Sequence, residues 1–394
     1  MALIYSPFDA TVQDDPYPVY AELREHHPIF RNDRDDFWAI SRHADVDAAL
    51  RDARRFSSVN GLRIEPAFWG PDAERFFSFV AMDPPKHTRM RALVSHAFTQ
   101  RRVMALEPRL REIARGYLEP LLDAGSFDMM TDFAGRFPTE VISELVGVPE
   151  SDRDMVRNLG MAIMYRDDEE STDLPPEALQ AIGALVGYYT ELIMARSRER
   201  RDDLVSALLD AAEGTDRLTP EEIVGILILL IGAGIETTML LLGNTWFAGA
   251  QAPDQRAKVF ADGRIDDWIS ETLRFDPPSQ AIARSTTEDV ELHGTTIPAQ
   301  SRILLLVGSA NRDPAVFTHP DRFDLDRDVA RSLSFGVGRH HCLGSHLGRL
   351  EARIALQEIV AAVADYEVDV AGAKRIRSSN NRGFVSLPTT VTTR

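Results

Sequence analysis

The sequence predicts a mainly α-helical fold with a few small sheets at its periphery, on three observations. Apolar residues recur with helical spacing over most of the 394 positions, as in Val103, Leu106, Leu110, Ile113 and Tyr117, and again in Ile182, Val186, Tyr189 and Ile193. Strand-like runs are short and bounded by turn residues, at 37–41, 290–297, 303–307 and 383–391. No internal repeat, low-complexity tract or Gly/Ser linker divides the chain, so 1–394 reads as one domain.

Composition limits the function classes. Apolar residues are 44% and charged residues 27%, as in ordinary globular proteins. With 44 basic against 61 acidic residues the net charge is −17, which disfavours nucleic acid and anionic lipid as partners. The single cysteine, Cys342, forbids an internal disulfide and leaves a free thiol or a metal ligand, in keeping with a reducing cytoplasm. Met1 to Phe8 lacks the basic and apolar regions of a secretory signal, and no membrane anchor is expected.

Taken in order, the first segment of interest is 60–80, rich in phenylalanine and suited to a lid, as is the acidic-to-proline stretch 166–176. In Met82-Asp83-Pro84-Pro85-Lys86-His87-Thr88-Arg89-Met90-Arg91, a helix starting after Pro85 places His87 and Arg91 on one face, where they can bind an anion together. Thr219-Pro220-Glu221-Glu222 forms a capping box for a helix that continues to about Ala250, roughly 45 Å at ~1.5 Å per residue. Its apolar run 223–235 is shorter than the ~20 residues needed to cross a bilayer and reads as a buried core helix. Gly232, Gly234 and Gly243 each cost about 1 kcal/mol within it, which implies close approach to its backbone. Glu271 and Arg274 lie three apart on a further helix and can pair.

The string Phe335-Gly336-Val337-Gly338-Arg339-His340-His341-Cys342-Leu343-Gly344 carries most chemistry. Its three glycines imply unusual backbone angles, and Leu343, Leu347, Leu350 and Ile354 predict a helix beginning near Cys342. At a helix N-terminus the dipole lowers a thiol pKa and favours thiolate as a metal ligand. A dinucleotide loop would need glycine where His341 stands. A zinc site of His340, His341, Cys342 and His346 lacks paired-ligand spacing, and an inert buried thiol is the ordinary alternative on composition alone.

The whole string resembles Phe-Gly-x-Gly-x-His-x-Cys-Leu-Gly, the haem-binding loop of the cytochrome P-450 superfamily. That resemblance implies a single-domain P-450 fold around a buried haem b, with Cys342 as axial ligand to the iron and Phe335, Gly336 and Gly344 among the residues that bind the cofactor. Ala233-Gly234-Ile235-Glu236-Thr237-Thr238 is similar to the family's oxygen-activation motif. By that likeness Thr237 holds the activated oxygen, Glu236 helps relay protons, and Ala233 and Gly234 line the haem face. His87, Arg91, Arg284 and His340 match propionate contacts. Glu271 and Arg274 match the structural Glu-x-x-Arg pair, which takes another arginine, Arg322 or Arg327. The start Asp15-Pro16-Tyr17-Pro18-Val19-Tyr20 and the end Gly383-Phe384-Val385-Ser386-Leu387-Pro388 also look like soluble bacterial members.

The implied activity is monooxygenation of an apolar substrate by hydroxylation or epoxidation, with O2 as co-substrate. NAD(P)H acts indirectly, through a ferredoxin and its reductase, since no fused reductase is seen. The ferredoxin would dock on a proximal basic patch of Arg101, Arg102, Arg339 and Arg349, with Arg331 and Arg353 nearby. A monomer is expected. The substrate pocket implied by the family comprises Phe79, Val80, Met164, Leu230, Ala233, Ile282, Phe384 and Val385, with parts of 60–80, 161–165 and 280–282. A peroxide-driven peroxygenase of the same fold and a non-catalytic haem-based sensor are the alternatives.

Overall fold

A computed structural model describes residues 5–164 and 175–394. Its axis is the helix Pro220–Gln251, which starts at the expected capping box: the Thr219 hydroxyl accepts from the Glu222 N–H at 3.2 Å, and the Glu222 carboxylate accepts from the Thr219 N–H at 2.9 Å. The second half of this helix is buried almost all round, through Leu240, Leu241, Leu242, Asn244, Thr245 and Trp246. The helices Phe137–Val146, Pro176–Arg198, Ile265–Phe275 and Ser345–Ala362 pack against it.

By length and apolar composition, Pro220–Gln251 and Pro176–Arg198 pass as membrane-spanning candidates. In this fold the first is the centre of the core. The second buries one face, through Ala178, Ala181, Leu185, Tyr189 and Leu192. The glycines expected to admit close neighbours do so in two cases: a Cβ on Gly234 would meet Ile142 Cδ1 at 2.8 Å, and one on Gly243 would meet Met130 Sδ at 2.5 Å. Gly232 has open space beside it, because it faces a cavity.

The sheets are peripheral, as predicted. The largest has five strands in the order Ile29–Asn32, Phe37–Ile40, Arg302–Leu305, Ile282–Thr286 and Phe56–Ser57. Within it Ile303 pairs with Arg284, which fixes the height of that arginine in the sheet. The run at 290–297 folds as a hairpin of Val290–Leu292 and Thr295–Ile297. The run at 383–391 is broken in two: Phe384–Ser386 pairs with Lys374–Arg375, and Pro388–Thr393 lies between Val363–Val368 and Ser126–Asp128. Segment 60–80 is not structureless, holding Pro66–Phe68, Glu74–Phe77 and part of Ser78–Ala81 as short helical turns. Most of the proposed lid at 166–176 lies outside the described residues.

Two buried ionic clusters tie the elements together. Arg274 holds Glu271 bidentately at 2.7 and 2.8 Å, and both side chains are essentially excluded from water. The third arginine is Arg327, whose Nε donates to Glu271 Oε1 at 3.2 Å; Arg322 contributes its carbonyl, not its side chain.

In the second cluster Asp276 accepts from Tyr17 Oη at 2.5 Å and from Arg382 Nε at 2.9 Å, joining the N-terminal segment to the C-terminal one. Burial alone would raise the Asp276 pKa, but Arg382 and Arg375 outweigh it and hold the carboxyl below its ordinary 3.8. The unfolded chain therefore binds the proton first, and the stabilisation, present above pH 3.8, is lost as pH falls through the lower folded value. Asp276→Asn should lose stability at neutral pH yet show a shallower further loss between pH 5 and 3, measured by urea titration. An unchanged acid slope would remove Asp276 from the acid sensitivity.

Candidate active site

One cavity of about 1220 Å³ opens between the central helix, the loop before Ser345–Ala362, segment 60–80 and the hairpin 374–386. It gathers most of the residues singled out from sequence. On the central helix, Leu230, Gly232, Ala233, Gly234, Glu236 and Thr237 line it. Ala233 is exposed in mid-helix because its methyl group faces this space. The Thr237 hydroxyl donates to the Ala233 carbonyl at 2.7 Å, the i−4 back-bond that loosens a helix locally and leaves room beside it.

On the facing loop, Gly336 and Gly338 adopt φ of +64° and +72°, conformations that suit glycine. Gly344 does not need this freedom: its φ is −82°, because it already caps the next helix. The Cys342 N–H donates to the Phe335 carbonyl at 2.8 Å, closing the loop. Cys342 is exposed in the protein alone and lines the cavity. The expectation of a lowered thiol pKa is corrected here. Burial pushes the thiol up, and the Gly344 N–H and Arg91 draw it down by less, so desolvation wins over the helix terminus in the protein alone. A cation placed on the sulfur reverses that balance.

Beside this loop stands a cluster of basic groups with little anionic counterpart. His87 is buried on Lys86–Ala97, and neither of its ring nitrogens has a hydrogen-bond partner. Its ring lies 4.1 Å from that of His340, whose Nδ1 is also unpartnered. Arg91 donates to the His341 carbonyl at 2.8 Å. Arg284 is buried with a 2.8 Å bond to the Ala283 carbonyl, and burial lowers its pKa to about 10, with only a partial counter-pull from Asp83. Burial and the neighbouring cations, Arg284 first, lower His340 to about 3. Buried cations that lack an anion are costly. Their orphaned donors would suit the carboxylates of a bound group and the nearby thiol would suit its metal, so the residues present fit a haem. No cluster of three or more metal-ligating side chains exists among the described residues, which disposes of the zinc reading.

The pocket expected from sequence needs two corrections. Phe79, Val80, Leu230, Ala233, Ile282 and Val385 line the cavity, but Phe384 does not. Adjacent strand residues point to opposite faces, so Phe384 turns inward against Phe247 at 4.7 Å while Val385 faces the cavity. Gln280 also turns away, donating to the Pro277 carbonyl at 2.8 Å. The side chains of Met161 and Met164, and all of Tyr165, lie outside the described residues.

Two further features escaped the sequence reading. Glu351 is buried on Ser345–Ala362 and lines the cavity with an unpartnered Oε2, and burial raises its pKa. It shares a helix face with Gly344 and Gly348, a spacing that was legible in retrospect. An arginine-rich wall at 62–65 and 374–381 is the other.

Some of the arginines expected on a proximal patch are engaged within the chain. Arg101 and Arg339 are exposed, and the helix Gln100–Ala105 packs on Ser345–Ala362, the helix that follows Cys342. Arg102 approaches Asp202 at 3.8 Å. Arg349 is not a free surface cation, because it donates to Ser270 at 2.9 Å and lies over Phe335, and Arg353 is paired with Asp266 at 2.6 Å.

Comparison with known proteins agrees with this geometry. The family model for cytochrome P450 matches residues 265–392, the part that holds Glu271, Arg274 and the cysteine loop. A putative cytochrome P450 123 of Mycobacterium tuberculosis is 45% identical over 394 residues, covering 100% of this chain and 98% of its own. A vitamin D(3) 25-hydroxylase of Pseudonocardia autotrophica is 38% identical over 391 residues, covering 98% and 96%. The solved structure of CYP109Q5 from Chondromyces apiculatus superposes with a TM-score of 0.91 at 33% identity, covering 99% of this chain and 98% of that one. With near-complete coverage at this identity, and the single thiol turned into the cavity, the chain belongs to the cytochrome P450 family of haem-thiolate monooxygenases.

Proposed function

We propose that this chain works as a single P450 domain that binds an apolar organic substrate in the 1220 Å³ cavity and hydroxylates or epoxidises it there. The observation that carries the reading is the convergence on one cavity of the Cys342 sulfur, the Thr237 hydroxyl and an apolar wall that includes Phe79, Val80, Leu230, Ile282 and Val385. Haem b, when bound, supplies the iron at which O2 is activated, so that one oxygen atom enters the substrate and the other leaves as water.

The chain's own residues do the rest. Cys342 would hold the iron through its thiolate. His87, Arg91, Arg284 and His340 would hold the propionates, supplying anions to a cluster that has little negative charge of its own. Small residues at 232–234 let the cofactor lie close to the central helix. Thr237 keeps its hydroxyl fixed by the Ala233 carbonyl, and Glu236, one residue away and also on the cavity, passes protons to it. This acid and alcohol pair favours O2 over peroxide as the oxidant. The apolar lining suits lipids, terpenoids, steroids or polyketide-like compounds.

Thr237→Ala should uncouple the enzyme, with NAD(P)H consumption ending largely in hydrogen peroxide and product per NAD(P)H falling several-fold. Glu236→Gln should slow turnover by about 100-fold, as for loss of a proton-transfer group, with haem content intact. Product analysis alongside NAD(P)H consumption measures both and also separates a monooxygenase from a ligand sensor. Wild-type coupling and rate in both variants would remove the pair from the mechanism.

For the electron donor we favour a small acidic ferredoxin in the cytoplasm, docking where Arg101, Arg102 and Arg339 flank the cysteine loop. Local positive charge on a chain of net charge −17 steers an acidic partner to one place. Reduction by ferredoxin should slow as salt rises, and Arg101→Glu should weaken association several-fold without changing substrate affinity. Salt-independent reduction with a normal rate in that variant would place the donor elsewhere.

A further inference from the structure

The basic cluster of His87, Arg91, Arg284 and His340 is carried by three separate pieces of chain, and one residue fastens all three. Asp83 stands just before the helix Lys86–Ala97, and its carbonyl accepts from the His87 N–H at 2.9 Å, so it heads the helix that bears His87 and Arg91. Its carboxylate reaches the other way. Oδ2 accepts from the Ser57 hydroxyl at 2.5 Å and Oδ1 from the Ser58 N–H at 3.0 Å. Ser57 pairs with Ser285 at the edge of the five-stranded sheet, next to Arg284. Ser58 in turn places its hydroxyl 3.3 Å from His340 Nε2, in the cysteine loop. Further bonds close the turn: the Ser57 hydroxyl accepts from the Val59 N–H at 3.2 Å, the Ser58 carbonyl accepts from the Gly61 N–H at 2.9 Å, and the Asn60 amide donates to Ser285 Oγ at 3.1 Å. Both serines are buried.

A buried hydroxyl needs a partner, and His340 Nε2 is the one that Ser58 has. When Ser58 donates its proton there, the ring proton of a neutral His340 sits on Nδ1, the buried nitrogen without a partner. Nδ1 is then a donor. The opposite tautomer would leave a lone pair on Nδ1, which repels an anion. Asp83 also reaches the cluster through its charge. Burial lowers the pKa of His87, Arg91 lowers it further, and Asp83 pulls it back. The same carboxylate opposes the lowering that burial imposes on Arg284. Asp83 therefore tempers the positive charge of two members of the cluster while it fixes the geometry of a third.

We propose that Asp83 and Ser58 are positioning residues for the haem propionates: Ser58 fixes the form of His340 that donates from Nδ1, and Asp83 holds Ser58 in place while its charge limits how tightly the cluster grips the propionates. The proposal rests on the reading of His87, Arg91, Arg284 and His340 as the propionate site. Neither Asp83 nor Ser58 lines the cavity, so each acts through another group. Their effects have opposite signs. Loss of the Ser58 hydroxyl frees His340 and weakens the hold on the cofactor. Loss of the Asp83 charge alone strengthens that hold, and the more positive field favours an electron added to the iron. Asparagine separates charge from geometry, because its Oδ1 can accept from the Ser58 N–H while its amide donates to Ser57 Oγ.

The test loads the enzyme with haem or with haem dimethyl ester, whose propionate charges are blocked, and follows cofactor transfer to excess apomyoglobin and the reduction potential of the iron. From the unaltered protein the ester should leave at least about tenfold faster than haem, as expected when charge-assisted hydrogen bonds are lost. Ser58→Ala should speed haem loss about fivefold, the worth of one neutral hydrogen bond, with ester loss changed by less than about twofold, and Ser58→Thr should restore the unaltered rate. Asp83→Asn should do the reverse: haem leaves about threefold more slowly, and reduction is favoured about threefold, roughly 30 mV at about 59 mV per tenfold for one electron. Residues that only braced the fold would release haem and ester alike, and faster, in both variants. Faster haem loss or an unmoved potential in Asp83→Asn, or equal effects of Ser58→Ala on haem and ester, would overturn the proposal. If the unaltered protein releases haem and ester at the same rate, the cluster is not the propionate site and that reading falls. If it distinguishes them while both variants behave as the unaltered protein, the roles of Asp83 and Ser58 alone fail.

Discussion

Replacing Cys342 by serine should abolish the strongly red-shifted Soret band of the reduced, carbon monoxide-bound protein, together with all substrate oxidation. Cys342 is the only thiol in the chain, and it lines the cavity. A serine hydroxyl is nearly the same size, so the loop closed by the Cys342 N–H to the Phe335 carbonyl has no steric reason to change. The loss would therefore report ligation. A thiolate would donate electron density to the haem iron, which an alcohol would do poorly. Absorbance of the reduced complex and haem content per chain are measured side by side. A haem-replete Cys342→Ser protein that kept the band would sink the assignment.

The largest stability effect should come from Arg274→Ala. It removes the bidentate partner of Glu271 in a site closed to water, and it strips the Asn311 and Pro320 carbonyls of donors at 3.0 and 2.9 Å. Breaking a buried pair from one side costs about 3–5 kcal/mol, a large part of the roughly 5–15 kcal/mol that hold a typical protein together. Urea denaturation should show that loss, with haem released early. Arg327→Ala, which removes a single 3.2 Å contact to Glu271 and exposed-side carbonyl contacts, should cost about 1–2 kcal/mol. An Arg274→Ala protein within 1 kcal/mol of the parent, about one lost neutral hydrogen bond, would show that the triad is dispensable.

Much of this protein was legible in its sequence because the signals are local. The capping box at Thr219, the helix after Pro85 and the glycine-punctuated cysteine loop depend on neighbours a few residues away, and each formed as read. Pairings between distant segments were not legible. Arg322 and Arg327 are equivalent as letters, and only the chain path after Pro320 turns the Arg327 side chain, rather than that of Arg322, onto Glu271. Arg349 reads as one more surface cation until Ser270 and Phe335 are found beside it.

Sequence alone determined the helical class and the family and singled out Cys342, since periodicity, capping and a rigid short motif are properties of contiguous residues. Tertiary structure decided which way each side chain faces and what surrounds it. Burial, not the helix terminus, sets the Cys342 thiol; strand alternation sends Phe384 into the core and Val385 to the cavity; and three segments far apart in sequence assemble the arginine wall. Desolvation and charge compensation depend on every neighbour within a few ångströms, and those neighbours are chosen by the fold, not by the order of residues along the chain.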